Sequence, residues 1–591
     1  MPKDFTYTLK AFSGLEDDPA PDSGGARTMV NFEITDRGSL KKRDGFRTEA
    51  VYGGAIRALW TGELAGTTHF FAVEGVRVRH SATGWEDMEL IGTLPGRERA
   101  QIFPFGSKLW FLGGAGINVF DPADGTYGEP EPYRPLVTVN TSPEGVGTPL
   151  EEANLLGGRY RQSFSPFGGA RTFKLFMTRP DSVDYVKLNG EKLPAGDYSV
   201  DLDAGTVTLN AAPPDVADSV EIGFTKEDRL RSMRINQCRG ACAYGSENDV
   251  AAFLWGDPDH PNVRYHSGLA DGKPDLSYFP ENSYTAVGDG SAITAIIRHY
   301  DRQLIFTENA AYCSYPRTYT DGLGRDRTVY PVDPLSSAFG CVSFGGAALM
   351  DNDPVTVTDS GLCRWSATSV REEKNARIFS SRIGELLSGR DMRRMRVYRR
   401  ASNGRLLMTT SLGEVLVYSP RADSFWIHEG VNPYCFVEDA AGTLFFGASD
   451  GRVCRVGGSD DDGEPIRAVW TGATARMGAD AAVKFASRVI LETAPDTEKD
   501  VRLYWTADVT GESSPNRGEV RFDLRPRTLF GFGSWDFARL SFNTQRLRRT
   551  LAARIAVRRF TRMRMTLVCR GTSGFEATRL TVRGFVTNKR I

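Results

Sequence analysis

Paired cysteines are almost missing from this sequence. The eight present, at positions 238, 242, 313, 341, 363, 435, 454 and 569, are scattered singly apart from Cys238-Arg-Gly-Ala-Cys242. Such spacing fits reduced thiols of a protein made in a cytosol better than a disulfide framework. A zinc site at the one close pair would need two further Cys or His ligands, and no second pair exists. Long apolar runs are missing too. None approaches the ~20 residues that span a bilayer, so no membrane-spanning segment is expected. The opening MPKDFTYTLKAFSGLEDDPAPDSGG lacks the apolar stretch of a signal peptide. A net charge of −1 over 591 residues excludes nucleic-acid binding by bulk electrostatics. Helical periodicity is scarce, with a short helical turn at most over 388–398. Phosphate-binding loops, zinc-protease motifs and nucleophile elbows are not found. Gly113-Gly114-Ala115-Gly116 reads as a hairpin turn, because no helix follows it.

What the chain has is glycine, 62 in all, and 11% aromatic residues. That mix favours many short strands joined by tight turns. One unit recurs. TLFFGASDGRVCRV (443–456) is an apolar strand, a small polar turn and an alternating strand. The same pattern begins at His69, Lys108, Ala251, Gln303, Pro354 and Leu406. Matching residues Phe70, Leu109, Phe253, Leu304, Val355, Leu406 and Leu444 are separated by 39, 144, 51, 51, 51 and 38 positions. A period of about 40–50 residues with four strands per unit is that of a β-propeller. The expected fold is therefore all-β: a seven-bladed propeller in which each blade leans on its neighbours. An irregular stack of antiparallel sheets is the plainer alternative.

Two segments break the period. The step of 144 contains VDYVKLNGEKLPAGDYSVDLDAGTVTLNAAPPDVADSVEIGFT (183–225), which alternates at period two around Asn189-Gly190 and Ala204-Gly205. It reads as an inserted β-sandwich. Ser459 to Pro465 reads as an acidic hinge, and the long alternating strands beyond it as a C-terminal β-sandwich. The expected layout is an N-terminal arm with strands joining the propeller (1–52), blades one and two (53–130), the insert with its linker (131–232), blades three to seven (233–457) and the terminal sandwich (458–591).

Ahead of the first blade stands VNFEITDRGSLKKRDGFRTEA (30–50). Its Asn31, Gly38, Leu40, Arg43, Gly45 and Phe46 resemble an "N…G.L..R.G(F/Y)" signature of tail proteins from tailed bacteriophages, where it precedes a propeller. GDPDHPNVRYHSGLADGKPDLSYFPEN (256–282), the "LNG…DYSVDLDAGTVTL…APP" module and the terminal sandwich are similar to segments of the same proteins. The resemblance spans about residues 27–591, and the order of its motifs is more specific than any one of them. It implies a nozzle or head-to-tail stabilisation protein. Such a protein is a structural part of the virion tail, made in the host cytoplasm. It forms a ring with itself, usually of six copies, that lines or gates the DNA ejection channel. It would contact adaptor, portal and tail-fibre proteins, pass DNA transiently, and need no cofactor.

Candidate chemistry is thin, and the chain is not expected to be an enzyme. The aspartates that might serve a propeller glycosidase (257, 259, 301, 351, 353, 359 and 450) sit mostly at turns. Asp257, Asp259, His260 and His266 suggest a metal site, but Asp-Pro-Asp-His-Pro reads more simply as a turn. Tyr312, Tyr315, Trp365 and Trp426 would be sugar-stacking candidates if the protein were instead a carbohydrate-binding or carbohydrate-cleaving propeller that recognises a host surface. The strongest signal is charge. Between Ser541 and Ile591 there are thirteen basic residues and one acid, Glu576. Arg546, Arg548, Arg549, Arg558, Arg559, Arg562 and Arg564 are the candidates for docking an acidic subunit or facing the channel. The competing reading is a solvated sheet face. Arg562 and Arg564 flank Met563, so in a strand both share one face.

Overall fold

The computed structural model describes residues 3–590 except 97, 245–249, 289, 323, 325, 368–373, 479–481, 495–499, 510–513 and 524–548. The fold is all-β: the described residues hold two α-helices, Arg229–Asn236 and Gly384–Ser388, and a short 3-10 turn, Met392–Arg394, lies inside the expected 388–398. The chain divides into two compact units, residues 57–345 and residues 1–56 with 346–591.

In the unit 57–345, four antiparallel sheets of four strands follow the chain. They are made by Ile56–Leu64, Thr67–Glu74, Arg77–Ser81 and Glu89–Thr93; by Gln101–Phe105, Lys108–Leu112, Ile117–Asp121 and Thr126–Gly128; by Gly240–Tyr244, Ala251–Trp255, Val263–His266 and Tyr284–Ala286; and by Ile293–His299, Arg302–Thr307, Ala311–Ser314 and Val332–Ser336. Each sheet shares an apolar core with the next. Phe71, Val73, Leu109 and Phe111 join the first to the second. Trp110, Leu112, Leu254 and Tyr265 join the second to the third. Trp255, Ile293, Ile296 and Ile305 join the third to the fourth. An inner strand is thus covered on both faces. That is why AAFLW (251–255) is buried at every position and does not alternate.

Between the second and third sheets the insert forms a six-stranded and a three-stranded sheet, with Leu136–Thr141, Arg159–Phe164, Ser182–Leu188 and Val220–Thr225 in the first and Thr172–Lys174, Tyr198–Asp201 and Thr206–Leu209 in the second. Phe164, Phe173, Val186, Val207, Ile222 and Phe224 from both sheets fill one core.

Buried arginines tie these sheets together. Arg57 donates to the carbonyls of Gly75 (2.8 Å), Gly113 (3.2 Å) and Glu98. Arg264, with no exposed surface, donates to the Gln303 side chain, to Ser314 Oγ (2.8 Å) and to the Tyr330 carbonyl (2.7 Å). Its guanidinium lies 4.8 Å from the Phe253 ring centre. The Arg264 side chain has no carboxylate among these partners; neutral oxygens of the fourth sheet hold it, with a face of Phe253.

The other unit carries two more sheets of four, Ala347–Met350, Asp353–Thr358, Gly361–Ala367 and Lys374–Ile378, then Pro433–Glu438, Leu444–Ala448 and Arg452–Val456 completed by Phe46–Val51. A further run of four, Arg396–Arg399, Leu406–Thr409, Val415–Ser419 and Ser424–His428, is continuous with a larger sheet. The hairpin 443–456 is therefore the middle of a sheet whose outer strand comes from some 400 residues earlier. At its turn, Gly451 (φ 92°) lies so close to the Tyr52 carbonyl that a Cβ would sit 2.1 Å from it.

The C-terminal strands are longer. Arg549–Gly571 pairs with Ala482–Thr493 through its first half and lies between Ile466–Gly472 and Asp500–Val509 through its second. At the changeover Arg559 adopts a positive φ of 53°, a bulge that bends the strand. Lys484, buried beside it, donates to the carbonyl of Thr561 (3.2 Å). Within 1–52, Lys3–Leu9, Ala26–Val30 and Leu40–Lys42 pair with the C-terminal strands, Ala26–Val30 also pairs with Ser424–His428, and Phe46–Val51 completes a four-stranded sheet. Which distant strand completes an edge is set by packing and leaves no mark on local pattern.

Replacing Arg264 by Ala leaves Gln303, Ser314 and the Tyr330 carbonyl without their donor. We expect a loss of about 2–4 kcal/mol in chemical denaturation; an unchanged midpoint would show that these bonds contribute nothing net.

Candidate docking site

The signature residues 31–46 form a clasp. Asn31 sits at φ 56°, and its side-chain oxygen accepts from Arg43 Nε (2.9 Å) and from the Glu429 amide (2.8 Å). Arg43 is 2% exposed and donates two bonds to Asp461, 2.9 and 2.7 Å long. Arg47 pairs with Asp460, and Thr48 donates its amide (2.7 Å) and hydroxyl (2.6 Å) to Asp462. Gly45 packs on Asp460 so closely that a Cβ would lie 1.8 Å from its carbonyl oxygen. Phe46 enters the core edge-on to Phe446, with ring centres 5.4 Å apart. The segment expected to be an acidic hinge is thus a fastening: each of three consecutive aspartates holds a residue of 43–48. Beside it, Glu33 is paired with Arg405 at 2.8 Å. Burial pushes its carboxyl up, but His428 and Arg405 hold it well below the usual carboxylate range.

The arginine-rich strand turns Ile555, Val557, Phe560, Met563, Met565 and Leu567 inward. Arg558, Arg559 and Arg562 are exposed on the other side; Arg564 is half-buried, its Nη2 3.2 Å from Thr474 Oγ1. Arg549 opposes Thr493 at the start of the strand. Arg546 and Arg548 lie outside the described residues. The register brings together three arginines outside the sequence candidates. Arg488 stands directly opposite Arg554 on one side and Arg583 on the other. All three are exposed, a row of like charges across three strands. Next to it Phe485 and Phe585 stack face to face, 4.9 Å apart at 8°. Arg558 and Arg559 occupy the bulge opposite Phe485. Among the described residues, none of Arg488, Arg554, Arg558, Arg559, Arg562 and Arg583 has a carboxylate within ion-pair distance. Arg488 was missed because it lies 66 positions upstream of Arg554; only strand pairing makes them neighbours.

The remaining candidates serve structure. Asp257 is fully buried and accepts from the Asp259 amide (3.0 Å) and Tyr265 hydroxyl (3.0 Å), with His260 Nδ1 2.9 Å away. His266 is elsewhere, between Phe253 and Tyr330, ring centres 5.4 and 5.0 Å away. Cys238 is buried, its Sγ 3.3 Å from the Arg234 carbonyl, and burial pushes its thiol up. Trp365 and Trp426 have no exposed surface and so cannot stack on a sugar. Tyr315 is covered by Arg317 and Arg302, 4.7 and 6.0 Å from its ring centre, and Tyr312 packs against the core of the third and fourth sheets.

Neither a family model nor a curated protein matches the sequence. Among solved structures the chain is similar to one described as YCF48 bound to D1 peptide (9% identity, TM-score 0.32, covering 70% of this chain and 95% of that one). It is also similar to a chain of a mitotic checkpoint complex (8% identity, TM-score 0.33, 69% and 95% covered). Scores this low carry neither fold nor function across.

Two tests follow from the geometry. Arg43→Ala unpairs Asp461 and removes one of the two donors to the Asn31 oxygen and should cost about 3 kcal/mol by denaturant titration; a cost below about 0.5 kcal/mol would mean that the clasp does not hold the segment. The second concerns acid. Burial, then the Arg264 charge, push the His266 imidazole down to about 4, below the usual 6.5 or so of an unfolded chain. The unfolded state therefore binds the extra proton first. This contribution is whole above pH ~6.5 and is lost as pH falls towards 4. His266→Gln should remove about 2 kcal/mol of the stability difference between pH 7 and pH 4.5; an identical pH profile in the variant would exclude His266 as its source.

Proposed function

We propose that this chain is a structural virion protein of a tailed bacteriophage, one of several copies forming a nozzle-like ring in the tail that lines or gates the DNA channel. In this reading the seven runs of four strands are blades of one β-propeller. The insert and the C-terminal sheet are the parts by which copies and tail proteins meet.

The observation that carries the proposal is the clasp. The residues behind the resemblance to tail proteins, Asn31, Arg43, Gly45 and Phe46, are joined in one fastening. It locks the N-terminal segment to Asp460–Asp462 and supplies the outer strand of the sheet 433–456. Such a device resists separation of two segments 418 residues apart in sequence, which suits a part that must stay rigid under load. The carbohydrate-binding alternative loses two of its four aromatic candidates to burial.

Electron microscopy and mass photometry of the purified full-length chain test the proposal. Rings of uniform copy number with a central opening are expected. A monodisperse monomer at tens of micromolar, or binding on a glycan array, would favour the alternative.

A further inference from the structure

Charge is unevenly divided along this chain. Residues 541–591 hold thirteen basic residues and one acid, leaving 60 basic against 73 acidic residues in the rest. The acidity has a local maximum in the insert. From Asp181 to Asp228 there are eleven acids and three bases. Glu191, Asp197, Asp201, Asp203, Asp215 and Asp218 are all exposed. Asp201 ends the strand Tyr198–Asp201, which is an open edge of the three-stranded sheet.

The basic counterpart is the arginine face. Like charges placed directly opposite in a sheet destabilise it. The row Arg554–Arg488–Arg583 makes that unfavourable juxtaposition twice, with no carboxylate among the described residues to relieve it. Arg579, next along Glu576–Arg590, is treated differently: it pairs with Glu492 at 3.2 Å. Asp4, opposite Phe585, is the acid that borders the stacked phenylalanines. An exposed face that holds a flat aromatic pair and six guanidinium groups with no carboxylate within ion-pair distance among the described residues is suited to an acidic protein surface. Arginine and aromatic side chains are the residues enriched at such contacts.

We propose that this arginine face docks the acidic insert of a second copy of the chain. The contact is heterologous, since basic face and acidic insert are different surfaces, so repeating it yields a ring or a filament. The inference rests on the ring reading above and names the surfaces that would build it. Nucleic acid is the competing occupant. It is disfavoured because phosphate alone does not account for an acidic module in the same chain.

The test uses the full-length chain at low and high salt. Arg488→Glu converts the row into alternating signs. The proposal therefore expects opposite effects from one substitution: Tm of the dissociated chain rises by about 1–2 °C, while self-association weakens at least ~10-fold, the scale of one close charge pair. Glu191→Lys, Asp201→Lys and Asp203→Lys together should weaken association equally, and a chain carrying both sets of reversals should regain it. Far-UV circular dichroism confirms that each variant is folded. Assembly that survives Arg488→Glu with Arg554→Glu and Arg583→Glu overturns this contact and leaves the ring reading standing. A wild-type chain that stays monomeric overturns both. Loss of binding to a short fluorescent DNA strand with assembly intact would assign the face to nucleic acid instead.

Discussion

The arginine side chain buried where two sheets meet is the interaction on which this structure depends. A stack of small antiparallel sheets gains most of its stability from apolar faces pressed together, and apolar contact alone fixes neither spacing nor rotation. Arg57, Arg264 and Arg43 supply what is missing. Each is nearly or wholly buried and reaches oxygens on other strands or turns, so that a slip of one strand breaks several bonds at once. Two of the three find mostly neutral oxygens, and the third a carboxylate.

The clasp applies the same chemistry to topology. Strands from the first fifty residues are distributed over three destinations, the C-terminal strands, Ser424–His428 and the sheet 433–456. Arg43, Arg47 and Thr48 stand where the segment changes destination, and three successive aspartates meet them there. Two segments are thereby held together although 418 positions separate Arg43 from Asp461.

Outside these fastenings, charge is arranged for the surface. Elsewhere in the unit, arginines tend to sit beside acids, as Arg455 beside Glu49 and Arg390 beside Glu414. Along Arg549–Gly571, Arg554, Arg558, Arg559 and Arg562 have no carboxylate within ion-pair distance among the described residues, and arginines gather on the exposed face. A long strand that bends at Arg559 to serve two groups of strands gives that face its extent.

The recurrence of apolar strand, glycine turn and alternating strand determined the short antiparallel sheets, because period two and turn chemistry are local properties. Asn189-Gly190 and the alternation around it likewise announced the insert. The clustering of arginine near the C-terminus was visible, yet its most crowded row was not: Arg488 meets Arg554 and Arg583 only through strand register. The acidic stretch at 459–465 suggested a hinge by composition, and Arg43 and Arg47 made it a lock. Trp365 and Trp426 were open to either surface or core until both faces of their strands were covered. Sequence alone determined what each segment would be, since propensity and periodicity act over a few residues. Tertiary structure decided which segments are neighbours, because cross-strand pairing joins residues by distance in space, and local pattern does not record it.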